Sequence, residues 1–227
     1  NSFSDEIIAL RNQRRPVRIF YSETSAIDKN YYMTEQFDLY ESLFFEGFPV
    51  GYATEKIIKK QDNNNWDVIV VYKTELVTDA EFDAIQSYLN QGGTVVIDNP
   101  TSLSKNEYGK VRNKVLKQGK GKLVLLDTDL TTIKIKDKVL EEISNALPEI
   151  VLDESNGSAY KGCTWRVVKN PKGGFLMNIL NIGKNAASLE ISMKNGQKAN
   201  ATDMLTGQVL GSKFELKSNG VLLLEVK

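Results

Sequence analysis

The sequence predicts an α/β domain built on a parallel sheet, followed by a small antiparallel β-sandwich, and three observations carry that expectation. The first is the stretch Asp67 to Asp98. Its apolar run Val68 to Val71, an amphipathic segment and a second apolar run Thr94 to Ile97 read as strand, helix and strand within about thirty residues. A crossover of that length joins parallel neighbours right-handedly. The second is that strands and helices keep alternating on both sides of this unit, for five or six strands. The third is a change of texture near Asp153: beyond Ser158 helical spacing gives way to short runs separated by turn residues, the pattern of an antiparallel sandwich.

Taken in order, Ser4 is a candidate cap for a lead-in helix from Asp5 to Arg14, which Pro16 ends. Val17 to Tyr21 is the first strand, and Ser22 to Asn30 reads as a polar loop. Tyr31 to Glu46 reads as a helix whose stripe Met33, Phe37, Tyr40 and Phe44 is expected to face the core, with Gly47 as its stop. Val50 to Ala53 is the next strand, Glu55 to Lys60 gives at most two helical turns, and Asp62 to Asn65 reads as a polar turn. In the central unit Thr78 and Glu81 have the spacing of a capping box, Phe82, Ile85 and Leu89 share one face, and Gly92-Gly93 end the helix. Asn99 and Pro100 open a polar loop to about Gly109, and Val111, Val115 and Leu116 mark a candidate helix. Lys122 to Leu126 is a further strand, and a last helix runs from Lys136 to Leu147 before Pro148. The expected strand order is 2-1-3-4-5, the flavodoxin-like arrangement.

In the last third, Thr164 to Val168, Phe175 to Asn181, Ser188 to Met193, Ala199 to Met204, Phe214 to Leu216 and Val221 to Val226 read as strands, with Asn195-Gly196 as a hairpin turn. The division expected is a lead-in over 1–15, an α/β domain over 16–153 and a sandwich over 158–227, with Asp153 to Gly157 as the linker.

The totals narrow the function. At 227 residues and 41% hydrophobic content the chain has room for one large or two modest globular domains. Lys plus Arg and Asp plus Glu both number 29, so no net field draws nucleic acid or an anionic membrane. The basic stretch Lys110 to Lys122 lacks interleaved aromatic residues and reads as a solvated face. Cys163 is alone, which rules out an internal disulfide or a cysteine-based zinc site, and the absence of histidine rules out histidine metal sites and histidine-dependent triads. No apolar run approaches the roughly 20 residues of a membrane-spanning helix, and the polar start does not read as a signal peptide. Asn1-Ser2-Phe3 carries no initiator methionine, so a processed or excised piece is expected, with its compartment left open.

In a doubly wound sheet ligands collect at the carboxyl ends of the strands. That edge is expected to gather Ser22, Glu23, Asp28, Lys73, Asp98, Asn99, Ser102 and Glu107 as a candidate cleft or interface. The turn Ser22-Glu23-Thr24-Ser25 has no glycine and carries an acid, which argues against phosphate and dinucleotide binding. Glu23 with Asp98 is the best carboxylate pair for glycosidic cleavage. Asp127-Thr128-Asp129 starts like a calcium loop, but Thr132 stands where the sixth-position glycine belongs and Lys138 at the twelfth position. Neither a metal nor a cofactor is expected. Tyr160 and Trp165 are candidates for stacking on a sugar, against the simpler reading that they pack internally.

The order of parts then points to a family. The passage "YESLFFEGFPVGYAT", then "WDVIVVYKTELVTDAEFDAIQSYLNQGGTVVID", then a sandwich containing "ATDMLTGQVL", resembles the C-terminal half of family-42 β-galactosidases. The resemblance covers the chain from about Arg15 and implies a trimerisation domain with a class I glutamine-amidotransferase-like fold, followed by a small β-sandwich. It also implies a catalytic (β/α)8 barrel N-terminal to this sequence, within the same polypeptide, and a homo-oligomeric full-length protein. An amidotransferase of this fold would carry its nucleophilic cysteine after the strand ending at Asp98, where Asn99-Pro100 stands, so no catalytic residue carries over. The expected function is a non-catalytic accessory region of a glycoside hydrolase. The alternatives are a carbohydrate-binding module using Trp165 and a self-sufficient hydrolase using Glu23 and Asp98.

Overall fold

The computed structural model describes residues 3–60, 66–127 and 130–227. The expected turn Asp62 to Asn65, and Thr128 and Asp129 of the calcium-like stretch, lie outside the described residues. The chain divides into two compact units, one of Arg14–Leu43 and Val50–Ala146, the other of Asn1–Gln13, Phe44–Pro49 and Leu147–Lys227.

In the first unit five parallel strands, β1 (Val17–Phe20), β2 (Val50–Ala53), β3 (Val68–Val71), β4 (Thr94–Ile97) and β5 (Lys122–Leu125), lie in the order β2-β1-β3-β4-β5. This is the flavodoxin-like order the β-α repeat predicts. β1 and β3 are buried at every residue, as expected of strands covered on both faces. One face packs Phe20, Ile69, Val71 and Val95 against Phe82, Ile85 and Leu89, from the helix between β3 and β4. That helix, Asp79–Asn90, keeps its capping box: Thr78 Oγ1 accepts from the Glu81 amide at 3.2 Å, and the Thr78 amide donates to Glu81 Oε2 at 2.7 Å.

Several expectations are corrected. Ser4 lies inside the lead-in helix α1 (Ser4–Arg11), whose N-terminus has no side-chain cap. The loop after β1 contains a short helix α2 (Glu23–Asp28), because Ser22 caps it by accepting from the Ser25 amide. In α3 (Tyr32–Phe44) the buried stripe is Tyr32, Gln36, Leu39 and Leu43, one residue out of phase with the aromatic stripe, which leaves Phe37 57% exposed. Gln36 enters this buried stripe with its Nε2 donating to the Tyr72 carbonyl at 2.6 Å, while its Oε1 is buried without a partner among the described residues. Glu55–Lys60 forms α4 as expected, and the helix after Thr78 is α5. No helix forms at Val111 to Leu116: the segment is held extended by an antiparallel bridge between Lys105 and Val111, and Lys117 pairs its backbone with the amide of Gln86 at 2.8 Å in both directions. The last helix, α6 (Thr132–Glu142), begins four residues early, with Ile135 and Val139 fully buried.

The second unit holds a five-stranded and a three-stranded antiparallel sheet, both with the period-2 burial of a sandwich. In chain order the strands are β6 (Ile150–Ser155), β7 (Cys163–Lys169), β8 (Phe175–Asn181), β9 (Ala187–Met193), β10 (Ala201–Asp203), β11 (Val209–Gly211), β12 (Lys213–Leu216) and β13 (Val221–Val226). The sheets run β11-β10-β13-β8-β7 and β12-β9-β6. Two of these strands, β6 and β11, go beyond the sequence reading. Asp153 to Ser155, expected as linker, belong to β6, whose alternation Ile150 in, Val151 out, Leu152 in pairs it with β9. The "DMLTG" passage is a turn tied by its buried aspartate: Asp203 accepts from the Leu205 amide at 3.1 Å and from Thr206 Oγ1 at 2.6 Å.

Candidate functional site

The carboxyl edge of the parallel sheet is built by the turns after β1, β3, β4 and β5. Asp98, at the end of β4, is 1% exposed, and its two oxygens are fully engaged. Oδ1 accepts from Ser102 Oγ at 2.6 Å, and Oδ2 accepts from the Lys73 amide at 3.0 Å and from Asn99 Nδ2 at 2.8 Å. Burial pushes its carboxyl above the usual carboxylate range, a change that the three hydrogen bonds and the Lys73 charge only partly offset. Asp98 thus ties the β4 turn to the β3 turn. Lys73 itself takes a left-handed conformation, φ +53°, as do Tyr31 and Leu103 nearby along the same edge.

Above this clamp lies a cleft of about 430 Å³ lined by Lys29, Lys73, Glu75, Asn99, Ser102 and Asp127, with Pro100 and Thr101. Lys29 donates to Glu35 Oε2 at 2.7 Å and to the Lys73 carbonyl at 3.2 Å. On the β1 side, Ser22 and Ser25 are buried and donate to the Leu76 carbonyl at 3.1 and 2.7 Å, and the Tyr32 hydroxyl meets Thr74 Oγ1 at 3.0 Å. Burial raises the Tyr32 phenol to about 12, so it serves as a neutral hydrogen-bonding group.

Of the eight residues the sequence assigned to this edge, Lys73, Asn99 and Ser102 line one cleft and Asp98 underpins it. Ser22 is a buried cap, and Asp28 and Glu107 are exposed away from the lining. Glu23 lines a separate cleft of about 170 Å³ with Tyr21, Glu55 and Glu81, whereas Asp98 is buried beneath the cleft that Lys73, Asn99 and Ser102 line. Sequence reasoning missed Lys29, Glu75 and Asp127. Asp127 stands two residues beyond β5 and Glu75 two beyond Lys73, so strand-end position was the usable signal. Among the described residues no group of His, Cys, Asp and Glu is arranged to hold a metal ion.

In the sandwich unit Trp165 is 6% exposed, and its Nε1 donates to the Phe45 carbonyl at 3.0 Å. Its ring lies where a Cβ on Gly47 would stand, 2.3 Å away, and Gly47 has φ +81°, so both space and backbone require glycine there. Tyr160 is 80% exposed. The two aromatics therefore form no shared sugar platform.

A unit built on a five-stranded parallel sheet and a unit of two antiparallel sheets define the class of region this is. No family model and no curated protein matches the chain. Among solved structures, the apo exo-carrageenase GH42 from Bacteroides ovatus matches with a TM-score of 0.92 at 38% identity, over 100% of this chain and 31% of that one. A catalytic mutant of a GH42 β-galactosidase from G. stearothermophilus matches with a TM-score of 0.67 at 12% identity, over 95% and 41%. A β-galactosidase from Bacillus circulans sp. alkalophilus gives 0.61 at 15%, over 94% and 41%. The last two speak to the fold alone. The chain is the counterpart of the C-terminal region of family-42, β-galactosidase-like glycoside hydrolases, and it spans less than half the length of these proteins.

Proposed function

We propose that this chain is the non-catalytic C-terminal accessory region of a glycoside hydrolase, that it supports a catalytic barrel carried elsewhere in the same polypeptide, and that it takes part in subunit assembly. The observation that carries this reading is the end-to-end match of the chain to under a third of a GH42 enzyme, which leaves most of that enzyme's length for the chemistry. The separation of Glu23 from Asp98, and the engagement of both Asp98 oxygens, fit a region that positions and does not cleave. The relatives are named as an exo-carrageenase and β-galactosidases, so the parent's substrate would be a galactose-based glycan. The loops Ser22 to Asn30 and Asn99 to Gly109 are the candidates for contact with a neighbouring barrel.

The test compares three proteins: the parent, the parent lacking residues 1–227, and this chain alone. The expected result is hydrolysis of a β-galactoside or carrageenan oligosaccharide by the parent only, with a lower mass in solution for the truncated form. Turnover by the isolated chain, or a truncated parent with full mass and activity, would overturn the reading.

A further inference from the structure

Strand β1 lies between β2 and β3 and is buried at every residue, yet its second residue is Arg18, 8% exposed. A strand covered on both faces ordinarily reads as an unbroken apolar run. A guanidinium keeps its charge at any physiological pH, so burying one is costly unless its donors are met. Arg18 has a built seat. Gly51, its register partner on β2, leaves room for it: a Cβ there would lie 2.8 Å from Arg18 Nη1. The Trp66 ring takes one face of the guanidinium, 5.0 Å from Cζ, and Nη1 donates to the Tyr52 carbonyl at 3.1 Å.

That seat leaves one edge of the guanidinium unused. Nε is buried with no hydrogen-bond partner, and Nη2, which is open to solvent, makes no hydrogen bond among the described residues. Nε–H and Nη2–H point the same way, and together they form the side-on edge with which arginine grips two oxygens of one oxyanion. No carboxylate of the described residues pairs with Arg18: Asp67, the acid just before β3, is held by Arg14. Arg15 is exposed, makes no ion pair among the described residues, and acts on Arg18 as a like charge. Burial first, and then the Arg15 charge, push the Arg18 guanidinium below its ordinary value. Two guanidiniums thus stand together at the amino end of β1, and neither is matched by a carboxylate of the described residues.

We infer that the amino edge of the parallel sheet carries an oxyanion site, in which Nε and Nη2 of Arg18 grip two oxygens of a tetrahedral sulfate or phosphate group and Arg15 meets a third from the solvent side. A planar carboxylate fills the Arg18 edge with both its oxygens and keeps none for a second cation, whereas a tetrahedral group serves both. The same group arrives either as a free anion or as the sulfate ester of a sugar. Arg18 lies too deep for anything broader than such a terminal group to reach it. The cleft above Asp98 stands at the other ends of these parallel strands, so the two sites are separate. This one is built from the α/β unit alone, and it stands or falls apart from the accessory-region reading.

The experiment follows the arginine Nε–Hε signals of the 227-residue chain by NMR during titration with sodium sulfate and sodium phosphate, against sodium chloride at matched ionic strength. The Arg18 signal should move saturably with either oxyanion and not with chloride. Calorimetry with sulfate then compares two variants, with circular dichroism as the check on folding. Arg18→Lys keeps the charge but not the two-pronged edge, and should weaken binding by about tenfold or more. Arg15→Ala, at an exposed position, should weaken it by a smaller factor that shrinks at higher salt. Sodium acetate should bind less tightly than sulfate. A carrageenan disaccharide and its desulfated form separate the two sources: tighter binding of the sulfated sugar than of inorganic sulfate assigns the group to a glycan, and binding no tighter assigns it to the free anion. An Arg18 signal that never saturates, acetate binding as tightly as sulfate, equal binding of the desulfated sugar, or a folded Arg18→Lys chain with unchanged affinity would each overturn the inference. Should Arg18→Lys fail to fold, the wild-type Arg18 signal and the Arg15→Ala affinity still decide, and a response in neither removes the site.

Discussion

The α/β unit contains two crossovers that do the same topological work in different ways. From β3 to β4 the chain runs through α5, and from β4 to β5 it runs through an extended segment with no helix. A helix satisfies its own backbone and needs only one apolar face against the sheet, and Phe82, Ile85 and Leu89 supply it. The extended segment must find partners for its backbone elsewhere. It takes them from the strand-end turns, where the Val77 amide donates to Lys105 and the Lys105 amide to Glu75, and from α5, where Gln86 clasps Lys117. It returns little apolar cover, since Val111 and Val115 point to solvent. The sheet is therefore sealed over β3 and left open beside β5, and the openness belongs to the connection and not to the strands.

The largest effect should come from the sealed crossover. Ile85 is 0% exposed within the cluster that joins α5 to the sheet, so Ile85→Ala should cost about 2–5 kcal/mol in chemical denaturation. A cost near that of a surface substitution would mean that α5 does not hold the sheet. A smaller effect should come from the point where the open crossover is fastened. Gly121 donates to the Leu89 carbonyl at 2.8 Å, and a Cβ there would lie 2.0 Å from the Gly93 carbonyl oxygen. Gly121→Ala must push backbone from backbone and should cost about 1–3 kcal/mol. A neutral result would show that the end of the open segment is loose.

The same contrast explains what the sequence revealed. The β3-α5-β4 unit was legible because each local signal agreed: a β-branched run, the Thr78-Glu81 box, one apolar face and Gly92, which takes φ +104°. The strand order followed from the repeat. The second crossover misled because Val111, Val115 and Leu116 have helical spacing while the segment around them is tied elsewhere: Val111 bridges Lys105, the Arg112 amide donates to the Ser104 carbonyl, and the Lys117 backbone is held by the Gln86 side chain. In α3 two stripes of equal spacing competed, and the aromatic one lost to one containing Gln36, whose fit depends on a carbonyl from β3's following turn. The candidate site was legible only as an edge. Strand ends located Lys73, Asp98, Asn99 and Ser102, but which of the acids share a cleft depends on loop paths that no spacing encodes.

Asp98, the first residue of the open crossover, offers the finest comparison. Its carboxyl is raised by burial, with Ser102, the Lys73 amide, the Lys73 charge and Asn99 pulling the other way. A raised folded value means that the folded chain holds this proton where the unfolded chain has released it. Its stabilising contribution is then fully present below the ordinary aspartate value of about 3.9 and is lost as pH rises through the folded value. Asp98→Asn removes the titration and can keep the clamp, with its carbonyl accepting from the Lys73 amide and Asn99 and its amide donating to Ser102 Oγ. Urea unfolding of both proteins from about pH 3 to 7 should therefore show a difference that moves in favour of the asparagine variant as pH rises, with a slope of at most about 1.4 kcal/mol per pH unit between the ordinary and the folded value. A difference of the opposite sign would mean that the donors at the β4 turn outweigh burial, and that the floor of the 430 Å³ cleft is organised to hold negative charge.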